Sequence, residues 1–138
     1  MMYVIIAGSR LLTKEEVYAA IADCSISCKI THVISGKAPS GGDYWGEKWA
    51  IEHNIPVIPF PANWDNIDVP NAIVKINSNG KPYNARAGFD RNQAMAEFAA
   101  VNNGCLIAIY KGKSSGTRDM VKRAKALLIP RYVYEVVI

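Results

Sequence analysis

Residues 3–10 read Tyr-Val-Ile-Ile-Ala-Gly-Ser-Arg, an apolar run that ends in a glycine, a small hydroxyl residue and an arginine. An uninterrupted apolar run of this length is typical of a strand buried on both faces, as in a parallel sheet covered by helices. The glycine at its end predicts a tight turn. We therefore expect the chain to begin with a buried strand followed by a loop.

A regular alternation of elements continues from this strand. Thr13 and Glu16 have the spacing of a capping box, which predicts a helix from that point to about Ala22. The remaining pattern predicts strands at 32–35, 56–60, 105–110 and 132–137, and helices from the loop 36–43 to about 53, at 90–101 and at 117–128. Alternating strands and helices indicate an α/β fold, a Rossmann-like three-layer sandwich with a mostly parallel sheet of about five strands.

One segment interrupts the alternation. Residues 61–87 contain proline, asparagine and glycine, which argues against a helix, while 73–76 followed by Asn79-Gly80 predicts a small hairpin. We interpret it as an excursion over the ligand site, inserted into a single domain of residues 1–138.

The composition narrows the classes of partner. A formal charge of +4 and a pI near 9.0 favour anionic partners. No apolar stretch approaches the roughly 18 residues of a membrane span, so we expect a cytoplasmic protein with no membrane partner. We interpret Cys24, Cys28 and Cys105 as free thiols and expect no metal site.

Three glycine-rich loops follow predicted strands, at 8–10, 35–43 and 112–117. Parallel α/β sheets bind ligands at the carboxyl ends of their strands, and glycine lets backbone N–H groups approach a phosphate closely. Each loop alone is a weak signal, but their convergence on one edge indicates a phosphate-binding site. The complete Walker pattern G-x-x-x-x-G-K-S/T is absent, because Ile107 stands where the pattern requires its first glycine before Gly112-Lys113-Ser114. The G-x-G-x-x-G spacing is absent as well, so NAD or ATP binding is not indicated and we expect no cofactor.

Several side chains near these loops are candidate ligand contacts. Arg10 and Arg91 offer bidentate donors for phosphate, although each could instead form a surface salt bridge. Asp43 could contact a ribose or base, or only favour a helix N-terminus. The full candidate set combines loop residues and neighbouring side chains: Gly8, Ser9, Arg10, Ser35, Gly36, Gly41, Gly42, Asp43, Arg91, Asn92, Gly112, Ser114, Gly116 and Thr117.

Glu47 and the three tryptophans lie outside this set. We assign Glu47 to a solvated helix face. Trp45 and Trp49, four residues apart, are interpreted as core and interface residues. Trp64, within the excursion, is the one tryptophan we expect to contact a ligand ring.

Four motifs together carry a family resemblance: Ala-Gly-Ser-Arg at 7–10, Ser-Gly-x(5)-Gly-Asp at 35–43, Ala-Gly-Phe-x-Arg-Asn-x-x-Met at 87–95 and Gly-Lys-Ser-x-Gly-Thr-x-x-Met at 112–120. In this order they resemble the YspA-like branch of the SLOG superfamily, which includes the LOG phosphoribohydrolases and the DprA DNA-processing proteins. The loop at 35–43 departs from the compact Ser-Gly-Gly-Ala-x-Gly-Ala-Asp pattern usual there. The resemblance implies a Rossmann-like fold that binds nucleotides or their derivatives.

The resemblance also bears on catalysis. LOG enzymes cleave an N-glycosidic bond with an arginine that matches Arg91 and a glutamate three residues after the Gly-Thr of their last loop. In this chain Met120 occupies that glutamate position, and a methionine can neither transfer a proton nor stabilise a positive charge. LOG-type hydrolysis is therefore disfavoured, and whether the chain is an enzyme stays open.

Three functions follow, in order of preference. The first is a sensor or sequestering module for a nucleotide-derived small molecule, because no nucleophile, base and orienting group can be assembled from the sequence. The second is a nucleotide hydrolase that uses Asp43 or Asp119 as acid or base. The third is DprA-like binding of single-stranded DNA, which the positive charge permits but which lacks a run of aromatics among basic residues. A homo-oligomer is compatible with each.

Overall fold

The computed structural model describes residues 1–137 of the chain and has the architecture that the sequence predicts. The elements follow one another as β1 (Tyr3–Gly8), α1 (Lys14–Asp23), a 3-10 turn (Ser27–Lys29), β2 (His32–Ser35), α2 (Gly41–Glu52), β3 (Val57–Pro59), β4 (Val74–Ile76), β5 (Pro82–Asn84), α3 (Ala87–Val101), β6 (Cys105–Lys111), α4 (Ser115–Ala126) and β7 (Arg131–Val136).

Five of the strands form one parallel sheet in the order β3-β2-β1-β6-β7, and β4 and β5 form a separate pair. Val4 at the centre pairs with Val33 on one side and with Cys105 on the other. Chain winding therefore reverses between β1 and β6, which is the topological switch point of a doubly wound sheet. The predicted α/β class and five-stranded sheet are confirmed, and the sheet is parallel throughout.

The side chains of β1 explain the three layers. Val4 and Ile6 pack into one buried cluster with α1 and α2, whereas Ile5 and Ala7 pack into a second cluster with α3 and α4. Successive side chains of a strand point to opposite faces, so an unbroken apolar strand requires helices on both sides. Trp49 lies in the first cluster and Trp45 packs against it, as expected of core residues.

Helix boundaries differ from the predicted ones where local contacts intervene. The α1 capping box is present, with Thr13 Oγ1 accepting from the Glu16 N–H. Helix α2 begins at Gly41, so residues 41–43 form its first turn and not the end of a loop. Helix α3 begins at Ala87, three residues before the predicted start, and α4 begins at Ser115 because Ser114 caps it. Helix α4 ends at Ala126 because Leu128, with φ +58°, lies outside the right-handed helical region.

The excursion forms the predicted hairpin, with β4 and β5 antiparallel and Gly80 at φ +79° in the connecting loop. Asn84 anchors it: the side-chain Oδ1 accepts from the N–H groups of Ile73 and Arg86, and Nδ2 donates to Asn66 O. We call residues 61–86 the roof, because they cover the carboxyl edge of the sheet.

No helix within residues 1–137 is both long and apolar enough to cross a membrane. The three cysteines are free thiols, with Cys24 and Cys105 buried and Cys28 exposed.

Candidate functional site

The carboxyl ends of β1, β2 and β6 lie side by side, because these strands are neighbours and parallel. Gly8 ends β1, Gly36 follows β2 and Gly112 follows β6. The three glycine-rich loops therefore meet at one edge, as the alternation of elements predicts. Between this edge and the roof lies a cavity of about 1070 Å³.

Ten of the fourteen candidate residues line this cavity. They come from all three loops and from α3: Gly8, Ser9, Arg10, Gly36, Asp43, Arg91, Asn92, Ser114, Gly116 and Thr117. Four do not line it: Ser35, Gly41, Gly42 and Gly112. Ser35 is buried at the end of β2, where its Oγ accepts from the Lys37 N–H.

Gly41 and Gly42 serve packing, because the start of α2 lies directly on the end of β1. A Cβ on Gly42 would lie 2.4 Å from Gly8 N, and one on Gly41, at φ +73°, would lie 2.1 Å from Ser9 O. The Gly42 N–H already donates to Ser9 O. These glycines therefore hold α2 against the first loop and offer no open face to a ligand.

Ser9 and Arg10 play contrasting parts in the first loop. Ser9 is buried: its N–H donates to Ile109 O, and its Oγ accepts from the Lys111 N–H at 2.9 Å. The hydroxyl thus ties the loop after β1 to the end of β6. Arg10 is exposed at the cavity and forms no salt bridge with any residue that the structure describes. Its guanidinium group remains available to an anion.

Asp43 and Arg91 lie together at the floor of the cavity. Arg91 Nη1 donates to Gly36 O at 2.7 Å, and Asp43 Oδ2 accepts from the Ala38 N–H at 3.3 Å. Burial raises the pKa of Asp43, while the charges of Arg91 and Arg10 and the Ala38 N–H act in the opposite direction. Burial also disfavours the charged form of Arg91 and lowers its pKa, and the nearby Asp43 carboxyl acts in the opposite direction. An arginine nevertheless stays protonated in proteins.

Asn92 connects α3 with α4. Its Nδ2 donates to Gly116 O at 3.2 Å and to Asp119 Oδ2 at 3.0 Å, and Asp119 Oδ2 also accepts from Arg123 Nε at 2.8 Å. The amide therefore positions the first turn of α4 beneath the cavity. Asp119, considered as an acid or base, is held in an ion pair with Arg123.

The N-terminus of α4 is the open part of the third loop. Ser114 Oγ accepts from the Thr117 N–H, and Gly112 turns the chain at φ +70°. Ser115 and Gly116 occupy the first turn, whose N–H groups have no intrahelical acceptor, and both line the cavity. A Cβ on Gly116 would meet no atom within 4 Å, so the helix end faces open space.

Positive charge dominates the cavity. Seven cationic side chains line it, namely Arg10, Lys37, Lys75, Lys81, Arg91, Lys111 and Lys113, against the acidic Asp43 and Asp65. Three of the lysines form ion pairs: Lys37 with Glu47, Lys81 with Asp65, and Lys111 with Glu16. Glu47 is thus half-buried against Lys37, and its assignment to a solvated face is wrong because the ion pair draws it toward the loop.

Aromatic side chains of the roof and of α3 line another side of the cavity. The Trp64 indole lies over the start of α3, where a Cβ on Gly88 would come within 2.8 Å of it, and Tyr83 meets it edge-on with ring centroids 6.2 Å apart. Phe89 also lines the cavity and is 39% exposed, so it offers apolar surface there. Met120, by contrast, is buried and forms an apolar part of the floor.

Several lining residues were not predicted from the sequence. Lys75, Lys81 and Tyr83 belong to the hairpin, and only its interpretation as a cover for the site pointed toward them. Phe89 sits within a motif used for the resemblance but was not assigned a contact. A second cavity, of about 480 Å³, lies between the roof and the start of α3 and shares Arg91. Comparison with protein-family models, with curated proteins and with solved structures found no match for this chain.

Proposed function

We propose that this chain binds a nucleotide or a nucleotide-derived phosphate ligand in the cavity beneath the roof, as a sensor or sequestering module. One observation carries the proposal: the open N-terminus of α4 faces the same cavity as the unpaired guanidinium of Arg10. Unpaired N–H groups, the helix dipole and an arginine form a favourable site for a phosphate group.

The two ends of the cavity suit the two ends of such a ligand. Phosphate oxygens would accept from the Gly116 N–H and the Arg10 guanidinium, with Lys113 adding charge. An aromatic base would reach the exposed surface of Phe89 or the Trp64 indole. The cavity volume of about 1070 Å³ slightly exceeds the roughly 300–1,000 Å³ typical of small-molecule sites, so a nucleotide has room. Kinship with the SLOG superfamily remains part of the proposal.

A binding titration with arginine variants tests this assignment. A thermal-shift screen of nucleotides, ADP-ribose derivatives and cyclic dinucleotides would identify a ligand, and calorimetry would then compare Arg10→Lys with wild type. Loss of a charge-assisted bidentate contact, typically about 1.5–3 kcal/mol, corresponds to roughly 10- to 150-fold weaker binding. Arg118→Lys is the matched control, because Arg118 is exposed on α4 but does not line the cavity. Equal affinities of both variants would refute the phosphate role of Arg10.

Hydrolysis is the second candidate, favoured by one observation. Asp43 is a buried carboxyl with a raised pKa beside a cavity, which is a frequent property of catalytic acids. Its Oδ2 accepts from the Ala38 N–H, however, and Met120, which lines the same cavity, supplies no second carboxylate. We therefore expect the protein to leave its ligand intact.

Chromatography of nucleotides incubated with the protein for hours separates the two functions. Recovery of unchanged nucleotide supports a binding module. Release of free base or phosphate that Asp43→Asn abolishes would identify an enzyme. Met120→Glu, which returns a carboxylate to the motif position, serves as a probe for slow cleavage.

A further inference from the structure

The two outer strands of the parallel sheet differ in how they are protected. Strand β3 has only three residues, Val57–Pro59, and itself contains a proline, and prolines within an edge strand discourage further pairing. Strand β7 spans Arg131–Val136 and contains no proline, glycine or lysine. No strand of residues 1–137 pairs with its outer side. Long, regular edge strands of this kind are ready templates for another strand.

The pairing with β6 determines which backbone groups of β7 face outward. The Leu106 N–H donates to Pro130 O, and Leu106 pairs with Arg131 in the parallel register. In a parallel ladder this arrangement turns the N–H and C=O groups of even-numbered β7 residues toward β6. Those of Arg131, Val133 and Glu135 therefore point away from the sheet.

These outward groups allow one fully overlapping antiparallel pairing of β7 with a second copy of itself. Hydrogen-bonded pairs must join odd-numbered residues, and the register that uses all three is centred on Val133. Arg131 of each copy then lies opposite Glu135 of the other, and Val133 lies opposite Val133. Each of the three pairs exchanges two backbone hydrogen bonds.

The side chains suit this register. Val133 is 53% exposed on a face that α4 covers only in part, since α4 packs mainly on β6 and β1. Arg131 and Glu135 are exposed on the same face, and opposite charges placed directly across a strand pair stabilise it. Arg131 Nη1 donates to Ile129 O, which leaves its remaining N–H donors for a carboxylate.

We propose that two copies of this chain associate through β7, joining their five-stranded sheets into one continuous sheet. The two-fold axis passes beside Val133, and Arg131 and Glu135 form reciprocal ion pairs across it. Because the central strands are antiparallel, the two ligand cavities open at opposite ends of the joined sheet. No residue of β7 lines either cavity, so association needs no ligand and this inference is independent of the proposed function.

Charge reversal tests both the interface and its register. Light scattering of the ligand-free wild type should give twice the 15.1 kDa chain mass, with dissociation on dilution. Arg131→Glu places like charges across the axis, as does Glu135→Arg, so each variant alone should be monomeric. An equimolar mixture of the two single variants should restore a dimer, because one strand then carries two acids and the other two bases.

Controls separate this result from misfolding or a general charge effect. Lys48→Glu makes the same charge change on α2, which packs on β1, β2 and β3, and should leave the dimer intact. Val133→Pro removes an N–H that points away from β6, so it should abolish the dimer while thermal unfolding stays close to wild type. A monomeric wild type, a dimer that survives both reversals, or a mixture that stays monomeric would overturn the proposal.

Discussion

Replacement of Gly42 by alanine tests whether the first loop depends on close approach of α2 to β1. The added Cβ would lie 2.4 Å from Gly8 N and 2.5 Å from Gly8 Cα, whereas ordinary contacts begin at 3.4 Å. Both neighbouring atoms are backbone, so α2 must move by about 1 Å. Overpacking of this kind costs about 1–3 kcal/mol, against which the better helix propensity of alanine recovers about 1 kcal/mol. Because both neighbouring atoms are backbone and cannot rotate away, the cost lies in the upper part of that range, and we expect a net loss of about 1–2 kcal/mol.

Gly116→Ala is the matched control. Gly116 is the second residue of α4, as Gly42 is of α2, but its added Cβ would meet nothing within 4 Å. The same substitution should therefore raise the free energy of unfolding by about 0.5–1 kcal/mol. It would also place a methyl group at the open helix end, so ligand binding should weaken although the fold is more stable.

Urea unfolding followed by tryptophan fluorescence measures both effects. The denaturation midpoint should fall for Gly42→Ala and rise for Gly116→Ala, with unchanged slopes. Equal or greater stability of Gly42→Ala would contradict the backbone contact between Gly8 and Gly42. Unweakened ligand binding by Gly116→Ala would contradict the assignment of the phosphate to the end of α4.

Three further changes address stability. Leu128→Gly should raise the free energy of unfolding by about 0.5–1 kcal/mol in chemical denaturation, because Leu128 is 88% exposed and holds φ +58°. Ser9→Ala should lower it by about 1–2 kcal/mol, because the Lys111 N–H loses its acceptor; an unchanged melting temperature would refute this role. Burial raises the pKa of Asp43 above its ordinary value of 3.8. Between 3.8 and the raised pKa, the folded chain retains a proton that the unfolded chain releases, so the free energy of unfolding falls as pH rises from one value to the other. Asp43→Asn should therefore unfold at a higher temperature than wild type at neutral pH, with the difference vanishing as pH falls to about 3.8.

The sheet could be predicted because its signals are local. The apolar run at 3–7 specifies a strand buried on both faces, and the capping box at Thr13 and Glu16 specifies a helix start. Alternation of such units leads to a parallel sheet, which in turn brings Gly8, Gly36 and Gly112 to one edge. Each step depends on residues close together in the sequence or on a general rule of connection handedness.

The site was harder to predict because its details depend on contacts between distant segments. Glycine after a strand indicates either an open phosphate loop or close backbone packing, and the sequence does not separate these meanings. Gly42 packs on Gly8, while Gly116 faces open space. Asn92 similarly suits either a ligand or a link between helices, and its partner Asp119 lies 27 positions away. Lys75 and Lys81 line the cavity only because the roof folds over the carboxyl edge of the sheet.

The central position of β1 has a consequence for the order in which the chain folds during synthesis. Val4 can pair with Val33 early, but its other neighbour, Cys105, is made 101 positions later. Until β6 has left the ribosome, the middle of the future sheet is an unpaired apolar edge. Such late, long-range pairing slows folding and prolongs exposure to aggregation. The growing chain thus passes through a stage in which its most buried strand is its most vulnerable one.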